Sequence, residues 1–209
     1  MSRGPPPRHT AQMGDVPPAA TYRRVTDPLR ITDPERFGLL HDAAETLLDD
    51  LTERFTVERR ETREPGEGRT EGPLVRTVRL IPRTPAAGPL AVGFTDFPGL
   101  AVRLGRWHEL ALPLCGCDSC DEDPKQLVDD LHREVYAHVE GGLWEGVRRR
   151  LNGSWWETRL VGPDFSQGRS GLLSPRDARA ARREGFAAAI RWAPWPRRPA
   201  DPTEPPPMY

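Results

Sequence analysis

The stretch LAVGFTDFPGLAVRLGRWHELALPL, residues 90–114, carries the clearest signal for the fold. From residue 100 onward most of its even-numbered positions are apolar, and the set that shares one face is Leu100, Val102, Leu104, His108, Leu110, Leu112 and Leu114. An alternation with a period of two is typical of β-strands that bury one face. Phe97-Pro98-Gly99 suits a tight turn, and Gly105 marks a second bulge or turn. The stretch therefore predicts strands joined by short turns, which pair antiparallel.

Other strand-like segments lie on both sides of this stretch. One begins at Phe55 and Val57 and runs into the turn-rich segment EPGEGRTEGP at 64–73, and a second covers Leu74 to Ile81. Two further strands are predicted over 155–161 and 186–192. The apolar and β-branched residues of these segments favour strands over helices.

Three helices are predicted where an N-cap acceptor stands directly before a proline, at Asp33-Pro34, Asp123-Pro124 and Ser174-Pro175. The first two are followed by long apolar stripes with helical spacing, and the third is short. The order of elements predicts an α+β fold, a twisted antiparallel sheet of about five to seven strands with two long helices packed on one face and a third short helix.

Twelve of the 24 prolines of the 209-residue chain crowd its two ends, over residues 5–18 and 194–207. Such stretches bury too little apolar surface to offset the entropy of ordering them. We therefore expect a disordered N-terminal tail over 1–26, a single α+β domain over 27–196 and a disordered C-terminal tail over 197–209.

Charge and hydropathy exclude several classes of protein. The formal net charge of −1 and the pI of about 6.5 give no overall attraction to nucleic acid or to an anionic membrane. Lys125 is the only lysine, so clusters of arginine reflect a general bias and carry less functional weight. No apolar run reaches membrane-spanning length and no signal peptide is recognisable, so we expect a cytoplasmic protein. The odd number of cysteines argues against a disulfide framework.

All three cysteines lie in the segment CGCDSCDED, residues 115–123. As a metal site, Cys115, Cys117 and Cys120 would supply three ligands to zinc, and the neighbouring acids would favour a bound cation. A structural zinc ion needs four ligands. His108 would lie roughly 20 Å away along an extended strand, and His132 lies too far along the next helix, so the fourth ligand stays unknown. Asp118, Asp121 or a residue brought in by the fold would have to serve.

Two other interpretations of the cluster remain. A redox pair of Cys117 and Cys120 is disfavoured, because the surrounding carboxylates oppose thiolate formation. A compact structural turn, with reduced and inert thiols and a bend at Gly116, requires nothing further. The sequence favours this turn, with zinc as the alternative.

The run GRWHELALPLCGCDSCDEDPKQLVDDL, residues 105–131, resembles an uncharacterised actinobacterial domain-of-unknown-function family. The resemblance joins a Trp-containing strand, the CGCDxCDE turn and a helix, and it is specific over roughly residues 97–135. It implies a small cytoplasmic domain of unknown role and no catalytic residues.

The remaining motifs point to no reaction. No nucleophile elbow, phosphate loop or dinucleotide fingerprint is present in the sequence. Trp155-Trp156 beside Arg148–Arg150 would suit single-stranded nucleic acid, but the neutral total charge and the arginine bias weigh against it. We expect a non-enzymatic cytoplasmic binding or adaptor domain with a protein partner rather than nucleic acid or a membrane, and with no cofactor. The alternatives are a small structural-zinc protein and an enzyme whose catalytic residues assemble only in the fold.

Overall fold

The structure, a computed structural model, describes residues 30–63 and 74–199. Within these ranges the chain forms three α-helices and nine strands in two antiparallel sheets. The helices are α1 (Gly38–Arg54, after a 3-10 turn at Pro34–Phe37), α2 (Pro124–Val139) and α3 (Pro175–Ala181). The strands are β1 (Val57–Thr62), β2 (Leu74–Pro82), β3 (Leu90–Thr95), β4 (Leu100–Leu104), β5 (His108–Leu112), β6 (Leu143–Arg150), β7 (Gly153–Val161), β8 (Ser166–Leu173) and β9 (Ile190–Arg191).

The first sheet is an antiparallel meander in the order β1-β2-β3-β4-β5. The predicted alternation is confirmed, because the register places Leu104 opposite His108 and Val102 opposite Leu110, and all four residues are buried. Gly105 has a positive φ of 61° in the turn between β4 and β5. Leu114 departs from the pattern because it follows the end of β5, and 76% of it is exposed.

Two of the three predicted helix starts, at Asp123 and Ser174, are confirmed. The Asp123 carboxylate accepts a hydrogen bond of 3.1 Å from the Lys125 N–H, and the Ser174 hydroxyl accepts one of 3.1 Å from the Asp177 N–H. These contacts satisfy backbone donors that have no partner within the helix. Asp33 makes no side-chain cap, and a 3-10 turn precedes α1 there. No helix in the described ranges is long and apolar enough to span a membrane.

The main hydrophobic core lies between the first sheet and the helices α1 and α2. Each helix turns its predicted apolar stripe into this core, and Leu143 and Leu160 of the second sheet join it. Burying a leucine side chain contributes about 2 kcal/mol. The largest side chains that are fully buried here include Phe37, Leu40, Leu48, Leu51, Leu80, Leu90, Leu100, Leu104 and Leu131.

The prediction of a single sheet was wrong, because the strands after α2 form a second sheet in the order β8-β7-β6-β9. Sequence analysis missed β6, which ends in three arginines, and β8, whose side chains are mostly exposed and show no apolar alternation. Both strands pair with β7 through local hairpins, so neither joins the meander. Of the predicted strand over 186–192, Phe186 ends a helical turn that starts at Arg182, and only Ile190–Arg191 forms a strand.

The predicted tails can be followed only in part. Residues 1–26 and 200–209 lie outside the described residues, as does the turn-rich segment 64–73. Within the predicted C-terminal tail, Arg197 forms a β-bridge with Phe55, and the Arg198 N–H donates a hydrogen bond of 2.8 Å to the Arg54 carbonyl. The boundaries of the domain at 27–196 stay a prediction.

Candidate metal centre

The three cysteines lie on the loop that connects β5 to α2. Their Sγ atoms all lie within 4.8 Å of one another, and all three thiols are free. At a Zn–S distance of about 2.3 Å, tetrahedral coordination places two sulfurs about 3.8 Å apart. The spacing of the thiols therefore needs a contraction of about 1 Å at most to surround one ion. The structure brings together the three residues that the sequence singled out.

Glu122 holds the first part of this loop in place. Its carboxylate accepts hydrogen bonds from the backbone N–H groups of Leu114, Cys115 and Gly116, at 2.9, 3.0 and 3.1 Å. Although burial acts to raise the pKa of Glu122, these backbone hydrogen bonds lower it overall, helped by the charge of Arg36. Sequence analysis treated Glu122 only as a negative charge near the thiols and missed this positioning role.

The acids of the loop bind the chain segment that precedes α1. One oxygen of Asp118 accepts hydrogen bonds from the Thr32 N–H at 3.0 Å and from its hydroxyl at 3.1 Å, and the first of these lowers the pKa of Asp118. The Asp118 N–H donates to the Arg30 carbonyl at 2.9 Å. Asp121 lies 3.7 Å from Arg36. Nothing in the sequence indicated these contacts, because 86 residues separate Thr32 from Asp118.

Backbone conformation and burial complete the geometry of the loop. Gly116 has a φ of 71°, and a Cβ atom on it would lie 2.7 Å from the Phe97 ring. The predicted bend at Gly116 is therefore confirmed. Cys117 is buried, Cys115 is half-buried and Cys120 is exposed, so the group of thiols opens to solvent on the side of Cys120.

The thiols influence one another's protonation. Hydrogen bonds with Cys115 and Cys120 lower the pKa of Cys117, whereas the hydrogen bond with Cys117 raises the pKa of Cys120 to about 12. The Cys117 thiolate is therefore favoured in the metal-free loop, and the Cys120 thiolate is not. A bound cation would be needed to stabilise the Cys120 thiolate.

The described residues supply no fourth ligand to the group of three thiols. His108 hydrogen-bonds Glu134 and Thr158 in the core, as expected from the direction of β5, and the His132 ring packs against Tyr136. Asp118 is held by Thr32. Of the two acids considered, Asp121 has the more open side chain, 89% exposed.

A second group of polar side chains lies between the two sheets. The His108 ring contacts the Glu134 carboxylate and the Thr158 hydroxyl, each at 3.1 Å. Glu145 accepts hydrogen bonds from the backbone N–H groups of Arg106 and Trp107 and from the Trp192 indole, and burial raises its pKa. Glu134, Glu145 and His108 are less than 7% exposed, and each has hydrogen-bond partners within the protein. This arrangement is suited to joining the sheets rather than to meeting a substrate.

The fold and the cysteine loop together define a small α+β protein with two antiparallel sheets and a candidate three-thiolate metal centre. The chain belongs to a protein family of unknown function (DUF6226), whose family model matches residues 2–199. The predicted resemblance to an uncharacterised family is thus confirmed, and it extends well beyond residues 97–135. No curated protein and no solved structure matches the chain.

Proposed function

We propose that this chain is a non-enzymatic binding domain that holds a zinc ion with Cys115, Cys117 and Cys120. The observation that carries the proposal is the convergence of the three Sγ atoms within 4.8 Å on a loop held by contacts that do not involve sulfur. Because Glu122 and Asp118 already fix the backbone, the ion would bind a largely formed site. Three thiolates favour zinc over magnesium or calcium, which prefer oxygen ligands.

The role of the ion in this proposal is structural. The loop joins β5 to α2 and also binds Arg30 and Thr32, so an ion at its centre would connect three parts of the chain. The fourth ligand would approach from solvent on the side of Cys120, as water or as the Asp121 carboxylate. The location in the cytoplasm is part of the proposal, and three free thiols support it.

A non-enzymatic role is supported by the burial of one pair of groups that could act as acid and base. His108 and Glu134 contact each other inside the core, where no substrate reaches them without unfolding. General acid–base catalysis requires such groups within reach of a bound substrate.

The test is the metal content of the full chain, purified without chelator and measured by mass spectrometry, with melting temperature read on the same sample. We expect about one zinc per chain in the wild type. A Cys115→Ser, Cys117→Ser, Cys120→Ser triple variant should hold none and should melt lower. Cobalt(II) added to the chelated wild type should give the intense visible bands of tetrahedral thiolate coordination.

Ser119→Ala provides the matched control, because Ser119 lies in the same loop and is not a ligand. It should retain zinc and the wild-type melting temperature. A wild type that holds no zinc after reconstitution, with the triple variant melting at the same temperature, would show that the loop is only a structural turn.

A further inference from the structure

The outer face of the second sheet carries arginines and tryptophans in alternation. In the β6–β7 register Trp144 lies opposite Arg159, and Arg148 lies opposite Trp155, while Arg150 follows two residues later on the same face. On the other side of Trp144, β9 places Arg191 opposite it. We call this set the arginine face: Trp144, Arg148, Arg150, Trp155, Arg159 and Arg191.

This face borders an open groove with a volume of about 1060 Å³. Its floor consists of small residues, Gly146, Gly168, Ser166 and Ser170, and one wall is formed by 187–189. A Cβ atom on Gly146 would lie 2.8 Å from the Ala189 Cα, so glycine permits the wall to approach the floor this closely.

The charges of the groove are unbalanced. Glu157 is paired with Arg148 at 3.6 Å and with Arg150 at 2.5 Å, so one carboxylate serves two guanidinium groups. Among the described residues, no carboxylate lies within ion-pair distance of Arg159, whose Nε donates to the Ser166 hydroxyl at 3.3 Å. The net charge of −1 of the whole chain therefore does not describe this face.

The two tryptophans offer surfaces for stacking. Trp144 is 41% exposed, and the Arg191 guanidinium lies 5.6 Å from the centre of its ring. The Arg150 guanidinium lies 5.1 Å from the centre of the Trp155 ring. Trp156 does not contribute, because strand alternation places it opposite Val147, whose side chain packs with Ala181 and Phe186 on the inner face.

We propose that the arginine face binds single-stranded nucleic acid, with the guanidinium groups on phosphates and with bases stacked on Trp144 and Trp155. An extended strand places Arg148 and Arg150 about 6.7 Å apart, a distance comparable to one nucleotide step of a stretched single strand. Basic side chains that alternate with aromatic rings on a sheet are a recurring arrangement in proteins that bind single strands. This proposal does not depend on the metal centre.

An acidic peptide is the competing ligand, because guanidinium groups bind carboxylates as well as phosphates. Carboxylates would use the arginines but, unlike bases, would not stack on the indole rings. The presence of two tryptophans on the same face therefore favours nucleic acid. The expectation of a protein partner, drawn from the sequence, becomes an alternative outcome of the test.

The experiment is fluorescence anisotropy with the full chain and fluorescein-labelled oligo(dT) and oligo(rU) of about a dozen nucleotides, a length within the usual site sizes. Binding should weaken with salt, with a slope of log K against log salt of about −3 for four phosphate contacts. Arg148→Glu with Arg159→Glu should reduce affinity by at least about tenfold. Trp144→Ala should reduce it by about tenfold through loss of stacking.

The matched control is Arg79→Glu with Arg83→Glu, which makes the same change of net charge on two exposed residues, one in β2 and one directly after it. This variant should bind like the wild type. Equal loss in both double variants, or no binding by the wild type, would overturn the proposal. Binding of a labelled oligo-glutamate in place of the oligonucleotides would also overturn it and would assign the face to an acidic peptide.

Discussion

The Nε2 atom of His108 lies 3.1 Å from the Glu134 carboxylate, and this contact joins the last strand of the first sheet to α2 inside the core. Replacing Glu134 with alanine would leave that nitrogen buried without a partner. We expect Glu134→Ala to lower the free energy of unfolding by about 3 kcal/mol. Glu134→Gln retains an oxygen acceptor and should cost about 1 kcal/mol. Urea denaturation measures both.

Asp129→Ala, on the exposed side of the same helix, serves as the control for that series. It should change stability by no more than about 0.5 kcal/mol. Equal stability of the wild type and Glu134→Ala would show that the contact does not hold the sheet to the helix.

A second prediction concerns Glu122, which accepts three backbone hydrogen bonds from the cysteine loop. Glu122→Ala leaves these donors unsatisfied, and we expect a loss of about 1–2 kcal/mol in the metal-free protein. It should also weaken zinc binding, because the thiols would no longer be held together before the ion arrives. Competition with a colorimetric chelator measures the affinity. Glu122→Gln should lie between the wild type and the alanine variant, and unchanged affinity in the alanine variant would refute the positioning role.

The pH dependence of stability should report on His138. Burial lowers the pKa of its imidazole from 6.5 to about 4, and Nε2 donates to the Gly88 carbonyl. Because the folded pKa lies below the unfolded pKa, the unfolded chain binds more protons between these values. Stability should therefore fall as pH drops from 6.5 towards 4, by up to about 3 kcal/mol. Glu145 acts in the opposite direction, since its folded pKa is raised.

His138→Gln isolates this contribution, because the amide can still donate to Gly88 but does not titrate. Chemical denaturation at a series of pH values should show a smaller acid-side loss of stability in the variant than in the wild type. His132→Gln, at a half-buried position on the same helix, should retain more of the wild-type dependence of stability on pH. If the free energy of unfolding changes with pH in the same way in the wild type and in His138→Gln, His138 is excluded as the source of the acid-side loss of stability.

Two glycine-to-alanine substitutions should have opposite effects. Gly116→Ala places a Cβ atom 2.7 Å from the Phe97 ring at a φ of 71°, and we expect it to destabilise by about 1–3 kcal/mol. Gly38→Ala lies in the helical region with no atom within 4 Å of the new Cβ, and it should stabilise by about 0.5–1 kcal/mol. Thermal unfolding measures both shifts. A neutral Gly116→Ala would mean that the loop adopts another conformation.

The helices and the first sheet were predictable because their signals are local. An N-cap residue followed by proline favours a helix start, and the alternation from Leu100 to Leu112 indicates which face of the strands is buried. The second sheet was not predictable in this way. Its strands β6 and β8 carry arginine, glycine and serine where apolar residues would have revealed them, and their pairing depends on hairpins.

In the cysteine loop, too, some features follow from the local sequence and others depend on the fold. The spacing of Cys115, Cys117 and Cys120, the bend at Gly116 and the helix start at Asp123 follow from residue types within a few positions of one another. The contact between Asp118 and Thr32 and the alignment of Trp144 with Arg159 join residues distant in sequence or on paired strands. Such contacts form only when the core brings those segments together, because no local preference of the chain encodes a distance across the fold.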